Sequence, residues 1–154
     1  MRPNPDRGFR LPIPDLTAVL CDLEVKQSAL DEIVAHAREE APRECCGMLV
    51  GTEERIERAV RARNLLRSNT RFLMDPRDQI AVMRESRGSG QSVVGFYHSH
   101  PASPPVPSET DTAEAAYSGY FYLIVSLEAG TCAVEAFRLQ EQAEFLPVRL
   151  VPIA

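Results

Sequence analysis

A helix-patterned segment runs straight into a wholly apolar one, and that junction limits the possible folds more than any other feature of this chain. Over residues 26–41, Ala29, Leu30, Ile33, Val34 and Ala37 recur every three or four positions, and Pro42 stops the pattern. A helix with one such stripe needs a surface to cover. The run C-C-G-M-L-V at 45–50, closed by Gly51, carries no charge. It therefore reads as a strand buried on both faces, the kind found inside layered α/β proteins rather than in sheets open to water.

The rest of the chain supplies the other layers. Residues 56–63 alternate as a partner strand, and 72–74 read as another short one. Asp75, Pro76 and Asp78 form a helix start, with Asp75 placed to cap and proline tolerated at the first helical position, so a helix is predicted over 76–86. After Gly88-Ser89-Gly90 comes a strand at 92–98. A loop holding Pro101, Pro104, Pro105 and Pro107 then leads to a helix at 108–116. A hairpin of 121–126 and 132–139 turns at Ala129-Gly130, and the C-terminal residues are expected to add one edge strand. The fold class predicted is α/β, a mixed β-sheet sandwiched by helices.

A length of 154 residues fits one domain, placed at 23–154 behind a Pro-rich extension at 1–22 that contains Pro3, Pro5, Pro12 and Pro14. A content of 44% hydrophobic and 25% charged residues argues against a disordered chain. No apolar run approaches the ~20 residues of a membrane span. The formal net charge of -5 supplies no positive field for nucleic acid. The N-terminus lacks the features of a secretory signal, so a cytoplasmic location is expected. Cys21, Cys45, Cys46 and Cys132 have no C-x-x-C spacing, and the expectation is small buried thiols in a reducing compartment.

Chemistry concentrates in G-F-Y-H-S-H-P-A-S-P-P-V-P-S-E-T-D at 95–111. His98 and His100 stand two apart at a strand end, so both imidazoles leave the same side of the backbone, as two ligands of one metal must. Ser108 and Asp111 stand three apart and share a helix face, which the Pro-rich loop can return towards that strand end. Two imidazoles and a carboxylate suit Zn2+ and leave its fourth position open, the pattern of catalytic rather than structural zinc. Taken alone, H-x-H also fits a polar strand edge, and S-E-T-D also fits a helix cap. His36 has no partner at metal spacing and is expected to be structural or solvated. Asp75 is expected to be a cap, and Tyr97 and Ser99 to support the histidines or to pack.

These residues resemble the JAMM/MPN+ (Mov34/MPN/PAD-1) zinc metalloproteases, whose pattern is an upstream glutamate, H-[ST]-H-P, and S-x-x-D. His98, Ser99, His100, Pro101, Ser108 and Asp111 match it, and P-R-E-C-C-G at 42–47 places Glu44 before the buried strand. The resemblance runs from about residue 23 to 139. It implies a cytidine-deaminase-like mixed sheet between helices, His98, His100 and Asp111 as zinc ligands, Glu44 as acid and base, and Ser108 as oxyanion donor. A zinc deaminase itself fits poorly, because H-x-E with P-C-x-x-C is absent.

The loops around the motif are short, and P-R-E-C-C-G with R-F-L-M-D-P at 71–76 resembles the compact prokaryotic branch. That branch implies a partner: a ubiquitin-like sulfur-carrier protein ending in Gly-Gly, cut to release cysteine from a carrier–cysteine adduct in cysteine biosynthesis. A general isopeptidase acting on lysine conjugates and a non-catalytic MPN scaffold are the alternatives, and a homodimer is open.

Overall fold

The computed structural model describes residues 21–115, 117–141 and 144–154. Among the described residues there are seven strands: β1 (Asp22–Lys26), β2 (Cys46–Thr52), β3 (Arg55–Ala62), β4 (Ser92–His100), β5 (Phe121–Ser126), β6 (Ala133–Gln140) and β7 (Glu144–Ile153). Three α-helices among the described residues, α1 (Gln27–Glu40), α2 (Pro76–Ser86) and α3 (Glu109–Glu114), are inserted after β1, β3 and β4. The strand order is β1-β3-β2-β4-β5-β6-β7, and pairing of β7 with β1 closes the sheet on itself. It is the mixed sheet expected: β4 with β5, β1 with β3 and β1 with β7 run parallel, and the other pairs run antiparallel.

Strand β2 is buried from Cys46 to Gly51 because its two faces serve two cores. Leu49 packs with Leu23, Val25, Ile33, Ile56, Tyr97 and Leu123 on the α1 side. Met48 and Val50 pack with Met74, Val82, Val93 and Phe96 on the α2 side. Each fully buried large side chain contributes about 1.5–3 kcal/mol. Strand β4 divides its residues in the same way: Tyr97 enters the first core, while Phe96, and by the two-residue period His98 and His100, face the other side.

Several elements differ from the sequence reading. Strand β1 was not foreseen, and it takes Lys26 from the helix. Residues 72–74 form no strand; only an isolated bridge joins Met74 to Asn64. The helix expected at 108–116 is Glu109–Glu114 with Ser108 as its cap. Strand β4 continues two residues further, to His100. Strand β7 is not a simple edge: Glu144 to Val148 pair with β6, and Arg149 to Ile153 pair with β1. Of the Pro-rich extension, residues 1–20 lie outside the described residues, and Asp22 already belongs to β1. All four cysteines are free, but only Cys45 and Cys46 are buried; Cys132 is exposed and Cys21 half-buried.

Gly47 is required by a close approach. A Cβ there would sit 2.2 Å from the Tyr97 ring, whose hydroxyl meets His36 Nδ1 at 2.8 Å. Gly47→Ala is expected to cost about 1–3 kcal/mol by overpacking, which lowers Tm by roughly 2–4 °C per kcal/mol. Thermal melting checks this, and an unchanged Tm would show that Tyr97 can move aside.

Candidate metal and hydrolytic site

The end of β4 and the first turn of α3 bring His98, His100 and Asp111 together. His98 Nε2 and His100 Nε2 lie 3.0 Å apart, and Asp111 Oδ2 lies 3.2 Å from the first and 3.0 Å from the second. Local structure holds each group in place. His100 Nδ1 is 2.8 Å from the Pro104 carbonyl, which can only accept, so Nδ1 carries a proton and neutral His100 presents a bare Nε2. The His98 ring stacks on Phe72 with centroids 4.7 Å apart. Asp111 sits in a capping box: its amide donates to Ser108 Oγ at 3.0 Å, and its Oδ2 accepts from the Ser108 amide at 2.8 Å.

Donor atoms that converge at these distances can share a cation at their centre. The edge of a tetrahedron around zinc with arms of ~2.0–2.1 Å is roughly 3.3 Å, close to the separations found, so the donor set fits that metal. Among the described residues this is the one cluster of His, Cys, Asp and Glu whose ligand atoms converge, all within 4.8 Å of one another.

The electrostatics are those of a site prepared for charge. Burial pushes His98 below its ordinary pKa, against the pull of Asp111. Burial also acts against charged His100, but without a metal its protonated Nε2 donates to Asp111 and its Nδ1 to Pro104, which together overcome burial, and the net direction is up. Burial raises Asp111, yet hydrogen bonds from His100 and His98 hold it far below the usual carboxylate range. Glu44, 5% exposed just before β2, is pushed by burial up to about 7, with His100 drawing it down and Asp111 raising it. A carboxyl poised near neutrality is suited to taking and returning a proton.

The placement of Glu44 rests partly on residues the sequence reading left secondary or missed. Buried Ser99 ties the end of β4 to the residue after Glu44: its Oγ accepts from the Cys45 amide at 2.8 Å, and its amide donates to the Cys45 carbonyl at 3.0 Å. Asn64 was not foreseen. Its side-chain amide donates to the carbonyls of Glu44 and Arg71, and its oxygen accepts from the amides of Leu66 and Leu73. One side chain thus joins the backbone of Glu44 to the loop that carries Phe72. The bond from Asn64 to the amide two residues on is an Asx-turn, the signal that an Asn directly after a strand could have given. Asn64→Ala is expected to reduce kcat/KM by ~10–100-fold through misplacement. Asn64→Asp, which keeps the acceptor and loses the donors, is expected to fall between; equal activity of all three would remove this role.

His36 and Asp75 take the places expected. Buried His36 bonds Tyr97 away from the site, and Asp75 caps α2 by accepting from the Arg77 amide. Beyond His98 and Asp111 opens a groove of about 560 Å³, walled by Leu66, Phe72, Leu73, Phe96, Tyr122 and Phe145. The Arg71–Glu114 ion pair, 2.8 Å long, joins two of its lining residues.

Comparison with known proteins agrees with this geometry. The profile of the prokaryotic homologs of the JAB domain matches residues 26–140. The chain belongs to that family. A desampylase of Haloferax volcanii is 38% identical over 73% of this chain and 86% of its own. A CysO-cysteine peptidase of Mycobacterium tuberculosis is 36% identical over 68% of this chain and 73% of its own. A probable TtuB-protein conjugate cleaving protease of Thermus thermophilus is 34% identical over 79% of each chain. The solution structure of a protein from Desulfitobacterium hafniense superposes with a TM-score of 0.77 at 31% identity, covering 85% of this chain and 92% of that one. The crystal structure of a JAB1/MPN domain protein from Archaeoglobus fulgidus superposes with a TM-score of 0.54 at 20% identity, covering 84% of this chain and 98% of that one, which shows the same fold; among the described residues no helix is long and apolar enough to cross a membrane.

Proposed function

We propose that this chain is a zinc-dependent hydrolase that cuts the amide bond after the C-terminal Gly-Gly of a ubiquitin-like sulfur-carrier protein, releasing cysteine from a carrier–cysteine adduct. The observation that carries the reading is the meeting of His98, His100 and Asp111 at 3.0–3.2 Å. The relatives named as a desampylase, a CysO-cysteine peptidase and a TtuB-conjugate protease support the substrate class.

In this reading His98, His100 and Asp111 hold zinc. When bound, it polarises the scissile carbonyl and lowers the pKa of water. Glu44 takes a proton from the attacking water and delivers it to the leaving amine. Ser108 Oγ spends a lone pair on the Asp111 amide, which leaves its hydroxyl hydrogen to donate to the oxygen on which negative charge develops. The groove beside the site holds the substrate tail, whose glycines bring no side chain to be accommodated next to His98 and Asp111. A binding module without catalysis has no use for three converging ligand groups beside a buried acid.

The test is hydrolysis of a CysO–cysteine adduct by the zinc-loaded chain, against the same carrier joined to a lysine side chain. Faster release of cysteine is expected. Equal rates would replace cysteine release by general isopeptidase activity, and cleavage of neither would remove the hydrolase reading.

A further inference from the structure

Residues 101–107 join the two halves of the site, with His100 before them and Ser108 after. Four of the seven are prolines, which have no N–H to donate, and seven residues reach roughly 23–25 Å when extended. Such a segment has little of its own to make it turn back. Among the described residues it has one internal backbone bond, from the Val106 amide to the Pro104 carbonyl at 2.8 Å. Its path is set from outside.

The outside hold is Ser126, the last residue of β5, which is 2% exposed and stands opposite His100 in the β4–β5 register. Its hydroxyl donates to the Ser103 carbonyl at 2.7 Å and accepts from the Glu128 amide at 3.2 Å, so its one proton goes to the loop. The Leu127 amide donates to the His100 carbonyl at 3.2 Å. The end of β5 therefore grips both the backbone of His100 and the loop three residues further on. Next to Ser103 is Pro104, whose carbonyl accepts the His100 Nδ1 proton at 2.8 Å. A hydroxyl that no step of the hydrolysis uses thus acts one residue away from the carbonyl that decides which imidazole nitrogen faces Asp111.

We propose that Ser126 is a positioning residue of the metal site: by holding the Ser103 carbonyl it fixes the turn of the loop, keeps the Pro104 carbonyl on His100 Nδ1, and so presents His100 Nε2 to zinc beside Asp111. The inference rests on the zinc site proposed above and extends it to a strand, β5, that supplies no ligand. Without the Ser126 hydroxyl the Ser103 carbonyl turns to water and the Pro104 carbonyl is released from Nδ1. The His100 ring is then free to carry its proton on Nε2, where it blocks the metal.

Ser126→Ala tests this, with Ser86→Ala as its match. Ser86 is 3% exposed and its hydroxyl donates to the Val82 carbonyl at 2.8 Å, at the opposite end of α2 from Pro76 and Gln79, which line the groove. The control therefore removes a buried serine hydrogen bond of the same kind. Two quantities are read on the full chain: the zinc dissociation constant, by competition with a chromophoric chelator, and the exchange with water of the His100 Nδ1 proton, by NMR of isotope-labelled protein with and without zinc. Ser126→Ala is expected to weaken zinc binding about ten-fold and to speed that exchange. Ser86→Ala is expected to lower Tm by a similar amount and to leave both quantities at their wild-type values. Unchanged zinc affinity or unchanged exchange in Ser126→Ala would overturn the proposal, and so would equal weakening in Ser86→Ala, which would make the effect one of general stability. A wild-type chain that binds no zinc, with faster Nδ1 exchange in Ser126→Ala, would overturn the zinc reading instead and support Ser126 as the residue that fixes the ring.

Discussion

Glu44→Gln is expected to lower kcat by about 10²–10⁴-fold while zinc content stays at the wild-type level, because the amide keeps the shape of the acid and loses its proton transfer. Turnover of the carrier–cysteine adduct, measured beside metal content, checks both parts. Full activity in this variant would exclude Glu44 as the base. The same substitution has a stability signature in metal-free protein. Burial raises the folded-state pKa of Glu44 from 4.5 to about 7, so the folded state keeps a proton that the unfolded state has already released. Wild-type stability is therefore unaffected by this group below about pH 4.5, falls as pH rises, and reaches its full loss, up to roughly 3 kcal/mol, above about pH 7. Glu44→Gln is expected to flatten that slope in denaturant titrations at pH 5 and pH 8.

Asp111 serves two tasks, and two substitutions separate them. Its Oδ2 faces both imidazoles and also accepts from the Ser108 amide, closing the cap of α3. Asp111→Ala is expected to abolish zinc retention and activity and to cost a further ~1 kcal/mol through the lost cap. Asp111→Asn keeps an acceptor for the Ser108 amide but lacks the charge that zinc needs. It is expected to lose zinc and turnover while melting closer to wild type. Retention of zinc by Asp111→Ala would remove this carboxylate from the ligand set.

The sequence made some of this architecture legible for identifiable physical reasons. Helix α2 begins where Asp75 and Pro76 place it, because a capping carboxylate and a fixed φ act locally. The two histidines share a face because a strand has a period of two, whatever surrounds it. The meeting of the histidines with Asp111 depends on a Pro-rich loop whose path the spacing permits but does not dictate. Strand β1 was hidden because Lys26 passes into α1 without any turn residue to mark the change.

Strand β7 contains Pro147 and Pro152, which argue for an edge. The structure satisfies that rule twice over, since Pro147 lies in the half paired with β6 alone and Pro152 in the half paired with β1 alone. Residues 72–74 lost their strand to Asn64, which takes the Leu73 amide for itself. The groove was beyond sequence reasoning because Leu66, Phe96, Tyr122 and Phe145 come from separate elements with no shared spacing.

The central claim is that His98, His100 and Asp111 form a single zinc site, and the most direct measurement is the zinc content of the wild-type chain by elemental analysis after zinc loading and desalting. The account predicts about one equivalent per chain, removed by chelation together with hydrolysis of the adduct and restored with it. A wild-type chain that holds no zinc after loading would contradict it.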